Sequence, residues 1–386
     1  MRKVFEKACP ARWFFLLLAL VLMLLPPLAG AGEYRELSQW QARNDLLEIP
    51  AVESDKAASS LLLDIAKAGE RLVAVGERGH IIYSDDNGKS WEQAEVPVMV
   101  TLTALDFSTP EKGWAVGHDG VVLHTEDSGE TWVKQFDAFE ANQMSLEYAR
   151  KLVAAKKAEL EQAGQEEKAA LSKELDDLTY ELEYWERAEE QCCVPLLDVW
   201  FKNSKEGFVI GAYGRFYKTA DGGRTWSPWW DRIDNLWKLH LNGFANANGS
   251  LFIARESGVI YRSTDGGESW ESLETPHDGS YLGIVASPEQ DLLIAYGIGA
   301  KLTYSKDGGN TWKLLQTRAG AALSAGAVRS DGSVLIVSYS GVILAGSDNP
   351  ESFVPQKIGA GWNALIETDD RHIVLVGLKG VHRTVF

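Results

Sequence analysis

Arg78, Arg215 and Arg255 are the residues of this 386-residue chain best suited to chemistry, because each lies in or beside a short glycine turn. Glu77, His118, Asp119, Tyr213, Glu256 and Tyr339 occupy the same kind of turn. An arginine trio clamps a carboxylate, and a Tyr–Glu pair with an acidic Asp cleaves a glycosidic bond. The same set also suits a polar mouth that binds without reacting, and ordinary turn chemistry accounts for most of it. The seven His residues show no zinc-ligand spacing. No nucleophile elbow, phosphate loop or dinucleotide fingerprint occurs. The expectation is therefore a binding face without catalytic residues, metal or cofactor.

The turns belong to a repeat. Ser263-Thr264-Asp265-Gly266-Gly267-Glu268-Ser269-Trp270 is the clearest copy of a Ser/Thr-x-Asp-x-Gly-x-Ser/Thr-Trp motif. The other copies centre on Asp86 and Trp91, Asp127 and Trp132, Asp221 and Trp226, and Asp307 and Trp312. A degraded copy runs from Gly346 to Phe353, with Phe353 in place of Trp. The Ser or Thr ends a strand, the Asp accepts from N–H groups inside the turn, the Gly takes a conformation other residues resist, and the Trp packs beneath. Fifteen residues before each Trp stands the head of a glycine turn: Gly76, Gly117, Gly211, Arg255, Gly297 and Ser338, with Gly377 opening a seventh unit. Apolar residues one and three before each head, such as Val73 and Val75, alternate as in a strand with one buried face. Heads recur at about 40 residues, the length of one four-stranded propeller blade. The fold expected is all-β: a seven-bladed propeller over 33–386. The last unit lacks its fourth strand, and residues 41–50 are the segment expected to supply it and cover the open edge.

One interval, Gly117 to Gly211, is about two periods long and lacks the motif over residues 140–190. Leu146, Ala149, Val153 and Leu160 share one helical face, and Leu171, Leu175, Leu178, Leu182 and Trp185 follow a coiled-coil spacing. Gly164 marks the reversal between them. This predicts an α-helical hairpin at 140–190, inserted between blades 2 and 3, with an acidic second arm. Links between blades share a face with the glycine turns, so the hairpin is expected to rise from that face. A hairpin has no role in building a blade, so its replacement is expected to leave the ring's stability nearly unchanged. The link one blade further on carries Trp229, Trp230 and Trp237, either packed inside or forming an exposed patch. The candidate partner-binding face is Arg78, His118, Asp119, Tyr213, Arg215, Arg255, Glu256, Trp229, Trp230 and Trp237.

The net charge is −17, from 55 Asp and Glu against 38 Lys and Arg, which argues against nucleic acid as the main partner. Arg2, Lys3, Lys7 and Arg12 precede an apolar run from Trp13 to Leu25, followed by Ala29-Gly30-Ala31. That order is a signal peptide over 1–31, cleaved for export to a periplasm-like compartment; an uncleaved anchor is the alternative. Cys192 and Cys193 are adjacent; a vicinal disulfide and free or intermolecular thiols are both open.

The Asp-box repeats are shared by sialidases, sortilin-type receptors and other propellers. The longer form Gly214-Arg215-Phe216-Tyr217-Lys218-Thr219-Ala220-Asp221-Gly222-Gly223-Arg224-Thr225-Trp226 resembles the photosystem II stability and assembly factor family. The resemblance covers about 60–386 apart from the hairpin. It implies an exported seven-bladed propeller that assists assembly of a membrane protein complex from the non-cytoplasmic side, with no catalysis and no small-molecule substrate. Two features depart from that family: the hairpin, and acidity where photosynthetic members present a basic patch. The other readings of the same residues are a sialidase-like glycoside hydrolase and a ligand-binding receptor propeller. The former lacks the early Arg-Ile-Pro or Arg-Leu-Pro segment of sialidases.

Overall fold

A computed structural model of the chain describes residues 46–188, 193–287, 291–359, 361–369 and 372–386. The expected signal peptide and Cys192 lie outside them, and no described helix is long and apolar enough to cross a membrane. The chain is mostly β, in seven antiparallel sheets, each a meander in sequence order. The first strands of the sheets are Leu62–Ala68, Leu102–Phe107, Leu196–Phe201, Leu241–Ala247, Tyr281–Ser287, Leu323–Val328 and Trp362–Asp369. Each packs beside the next, and the seventh returns to the first, so the sheets close a ring. Among the described residues six sheets have four strands; the seventh has three, ending in Gly380–Val385.

The Asp turns form as their chemistry requires. Ser263 donates to Asp265 at 2.7 Å and accepts from the Gly267 N–H at 2.8 Å, while Asp265 accepts from the Ser269 N–H at 3.0 Å. The Trp270 indole N–H donates to the Gly267 carbonyl at 3.1 Å. The same bonds recur around Asp86, Asp127 and Asp307. Asp221 keeps its turn, but the Trp226 indole N–H finds no acceptor. In the degraded copy Phe353 lies where the Trp would: a Cβ on Gly346 would meet its ring at 2.3 Å.

Closure differs from expectation. Residues 41–45 lie outside the described residues, and 46–50 do not pair with the last sheet. They run instead along the link from sheet 1 to sheet 2, where the Leu46 carbonyl accepts from the Met99 N–H at 2.8 Å and Leu47 is buried against Val96, Val98 and Val100. The seventh sheet joins the first through a shared core that includes Leu62, Ile82, Trp362, Val374 and Leu375. The turn at Ala57–Ser59 packs on the last strand so closely that a Cβ on Gly380 would lie 2.0 Å from the Ala58 carbonyl oxygen. Among the described residues, packing of a turn and of side chains covers this junction.

Polar side chains at all seven junctions fasten each sheet to its neighbour. Asp64, Asp106 and Asp198 accept from the Leu105, Phe201 and Phe244 N–H groups at 3.0, 2.7 and 2.6 Å. Asn242, Ser324 and Asn363 donate to the Tyr281, Trp362 and Leu62 carbonyls at 2.6, 2.8 and 2.8 Å. Ser287 donates to the Gly332 carbonyl at 3.3 Å and completes the circuit between sheets 5 and 6. The inner strands surround a polar cavity of about 310 Å³ lined by Asp64 and Asp198 and by no Lys, Arg or His.

Burial in this narrow space pushes Asp64 up to about 7, Asp106 to about 6 and Asp198 to about 8. Each carboxyl thus holds its proton more tightly in the folded chain than in the unfolded one. The stability it contributes is full below about pH 4 and is lost as pH rises through 6 to 8, on the order of 2 kcal/mol per group once channel water is allowed for. The melting temperature is expected to fall between pH 5 and pH 9. Asp198→Asn gives up one of two backbone N–H bonds, so it should melt lower than wild type at pH 5, with a flatter slope between pH 5 and pH 8. Calorimetry giving parallel pH profiles for the two proteins would refute this role.

The helical insertion is present as α1 (Ala138–Gln162) and α2 (Lys168–Ala188). Asp137 caps α1, accepting from the Phe139 N–H at 3.0 Å. The hairpin is not an appendage. Leu146, Ala149, Trp185 and Ala188 are buried in one cluster with Phe216, Trp230 and Tyr261 of the ring, and the Ser145 and Tyr217 hydroxyls are 3.0 Å apart. The expectation that the ring ignores the hairpin is therefore corrected: its lower half completes the core above sheet 3. Beyond Val153, toward the tip, no hydrogen bond, ion pair or core cluster among the described residues joins the hairpin to the ring, and Leu160, Leu171, Leu175 and Leu178 are half-buried.

Candidate partner-binding face

A four-strand meander puts its first and third turns at one end and its second turn and outgoing link at the other. The glycine turns and the links therefore share one face, and the Asp turns share the opposite one. Within the glycine turns the residue before the glycine is left-handed: Arg78, Asp119, Tyr213 and Ser257 have φ of 57°, 56°, 55° and 60°. Each such non-glycine residue is strained by about 1 kcal/mol. The next residue must be glycine at Gly258, where φ is 73° and a Cβ would lie 1.6 Å from the His277 carbonyl oxygen.

The predicted face divides into two groups. Arg78, His118 and Tyr213 are exposed at turn apices. Asp119 is nearly buried and Glu256 half-buried; the Glu256 carboxylate accepts from the His240 N–H at 3.0 Å. Arg255 is half-buried and donates to the Tyr261 hydroxyl at 2.6 Å and to the Glu256 carbonyl at 3.1 Å. Arg215 is only 2% exposed and lies beneath the hairpin, with its guanidinium 4.5 Å from the centre of the Trp185 ring and Nη1 donating to the Tyr217 hydroxyl at 3.3 Å. The three arginines stand on different sheets with different neighbours and do not converge on one carboxylate position.

The aromatic link divides likewise. Trp230 is buried against Trp185 and Tyr148 under the hairpin. Trp229 is half-buried and donates across to the Gly267 carbonyl at 2.7 Å. Both fill space that the hairpin and sheet 4 leave, the packed one of the two alternatives the sequence left open. Trp237 is 83% exposed, beside exposed Leu236.

Sequence reasoning passed over the residue that places Trp237. Asn235 to Lys238 is a turn, closed by the Lys238 N–H donating to the Asn235 carbonyl at 2.9 Å, with Leu236 and Trp237 at its corners. Lys238 is left-handed, φ 53°, and its side chain is buried. Its ammonium pairs with Glu181 of α2 and sits 5.2, 5.8 and 5.1 Å from the Tyr184, Trp185 and Trp230 ring centres. Burial lowers Lys238 and raises Glu181 from their ordinary values. The one available signal was a lone Lys among tryptophans, beside a Glu in the apolar seam of α2.

Together the ring and the face define a β-propeller with a helical hairpin packed on its glycine-turn face. The fold recurs in YCF48 bound to D1 peptide (TM-score 0.59, 15% identity, covering 88% of this chain and 99% of that one). It recurs in YCF48 from Cyanidioschyzon merolae (0.57, 13%, 87% and 97%) and in the WD40 propeller domain of Doa1 (0.56, 7%, 88% and 95%). A family model described as photosynthesis system II assembly factor YCF48 matches residues 49–138, 84–159 and 179–346. The chain belongs to that family. A curated relative, the photosystem II assembly lipoprotein Ycf48 of Synechococcus sp. (strain CC9902), is 30% identical over 168 residues, 42% of this chain. The chain spans about half the length of that relative, 49%.

Proposed function

We propose that this chain is a non-enzymatic, exported seven-bladed propeller, one blade per sheet, that assists the assembly or stability of a membrane protein complex. The observation that carries the reading is the family match across most of the ring. A solved propeller of the same fold is bound to a D1 peptide, which supports a segment of a membrane protein subunit as the ligand class. The glycine-turn face is the proposed site, because it combines the left-handed apices, the hairpin and the exposed Trp237. The side of the membrane follows from the N-terminal basic–apolar–small pattern, which supports export with a signal peptide.

The test is affinity capture with the tagged protein from detergent-solubilised membranes of its host, read by quantitative mass spectrometry. Enrichment of the subunits of one membrane complex is the expected result. Recovery of soluble proteins alone would overturn the reading. So would turnover of sialosides or aryl glycosides that disappears in Tyr213→Phe or Arg255→Ala.

A further inference from the structure

The Leu236–Trp237 turn is built unlike an ordinary surface turn. Turn corners favour Gly, Pro, Asn, Asp and Ser, whose backbone or side chains suit them. Here the corners are two large apolar residues, 37% and 83% exposed, followed by a left-handed lysine. Both ends are fixed. Asn235 is buried and brackets Leu239, donating to its carbonyl at 2.9 Å and accepting from its N–H at 3.1 Å. Lys238 is held by Glu181 and three aromatic rings. The backbone is thus locked while Trp237 faces water and Leu236 stays partly exposed, which holds apolar surface in solvent on a fixed turn.

Helix α2 supplies the other wall. Glu181, Tyr184 and Trp185 reach Lys238, and helical spacing stacks Asp177 and Tyr180 one turn above the first two, toward the hairpin tip. Tyr180 is 47% exposed and Asp177 is exposed. Asp177, and Asp234 at the root of the turn, have no ion-pair partner among the described residues, whereas the Lys238 charge is already matched by Glu181. The surface where α2 meets the turn therefore combines aromatic and aliphatic groups with unmatched negative charge.

We propose that this surface seats a basic, aliphatic segment of a protein partner. A Lys or Arg stem packs along Tyr180 and Trp237 with its charge toward Asp177 or Asp234, and an aliphatic neighbour covers Leu236. The unmatched acidic groups favour such a segment over an anionic lipid surface. The inference rests on the partner-binding reading above and names the chemistry of that partner.

The test is calorimetry on the purified protein with three synthetic helical peptides of equal length: Lys/Leu amphipathic, Glu/Leu amphipathic and Lys/Ser. Phosphatidylcholine vesicles with and without phosphatidylglycerol are the fourth arm. The Lys/Leu peptide is expected to bind, the other two to bind at least roughly tenfold more weakly. Trp237→Ser should lose about tenfold in affinity for it with an unchanged melting temperature, because the side chain is exposed. Asp177→Asn should weaken binding and reduce its salt dependence. Equal affinity of wild type and Trp237→Ser, equal binding of the Glu/Leu peptide, or binding to vesicles with none to peptide would each overturn the proposal. If Trp237→Ser recovers the membrane complex as well as wild type does, this inference fails while the assembly-factor reading stands. If wild type recovers no membrane protein, the broader reading fails too.

Discussion

Replacing residues 138–188 with a short Gly-Ser linker is expected to abolish cooperative folding of the ring, while replacing only 155–175 is expected to leave the melting temperature within a few degrees of wild type. The two deletions differ in what they uncover. The larger one removes Leu146, Ala149 and Trp185 from the cluster that buries Phe216, Trp230 and Ile233. Re-exposing a large apolar side chain costs about 1.5–3 kcal/mol. Several such losses together reach on the order of 5–10 kcal/mol, comparable to the whole stability of a typical domain. The same deletion takes Glu181 from Lys238 and Trp185 from Arg215, so both cations lose their neighbours and the apolar surface around them opens to water. The smaller deletion removes the half-buried Leu160, Leu171 and Leu175 and the surface pair Lys156–Glu174, none of which touches the ring. Repeat proteins store stability in each unit and its neighbours, so a tip without ring contacts adds little. If the hairpin tip helps hold the partner, the trimmed protein should keep its fold and recover less of the membrane complex in affinity capture. A trimmed protein that unfolds would place the tip in the core, and undiminished recovery would remove the tip from the binding site.

The contrast between tip and base also marks where sequence reading stops. The Asp turns were legible because all their chemistry lies within eight residues: Ser263, Asp265, Gly267, Ser269 and Trp270 bond to one another. The strands were legible through alternation, and the hairpin through its apolar spacing. What lay beyond reach was contact between distant segments. Helical periodicity places Trp185 in a seam with α1, yet the same ring is covered by Trp230 and stacked by Arg215. A seam residue and a surface-patch residue look alike until the third element is known. The open edge of the last sheet posed the same difficulty. An unpaired edge can be covered by a strand or by a packed turn, and hydrophobic pattern does not distinguish them. Here Ala57–Ser59 packs on that strand while Leu47 is buried two links away.

The candidate site was legible by location but not by membership. Arg215 stands in a repeat position, as Arg78 and Arg255 nearly do, so spacing ranks all three alike. Only the hairpin decides that Arg215 is interior and Arg78 exposed. Lys238 carried no repeat signal, since its link is irregular and its partner lies 57 residues earlier.

Breaking the Lys238–Glu181 pair from its acidic side is expected to destabilise the protein by about 3 kcal/mol, and removing both charges together to restore most of that loss. Glu181→Gln leaves the ammonium 9% exposed among three aromatic rings, with an amide oxygen as its only replacement acceptor. The rings' faces attract the cation, but not enough to replace a carboxylate. Lys238→Met should cost less, because the remaining carboxyl already binds its proton tightly through burial and simply takes it up. The sign of the pH dependence follows. A carboxyl raised in the folded state contributes stability at low pH that is lost as pH rises, so Lys238→Met should gain on wild type as pH falls from 7 to 5. The double variant Glu181→Leu with Lys238→Met replaces the pair by apolar groups of similar size and should melt near wild type. Urea unfolding of wild type, Glu181→Leu, Lys238→Met and the double variant forms a cycle, and a coupling near zero would show that the pair is not a unit. The stable double variant then separates two roles of the pair. It keeps the ring folded but frees the Leu236–Trp237 turn from its electrostatic anchor, so the Lys/Leu peptide should bind it more weakly than wild type. Unchanged peptide affinity in that variant would mean that the turn holds its shape through Asn235 alone.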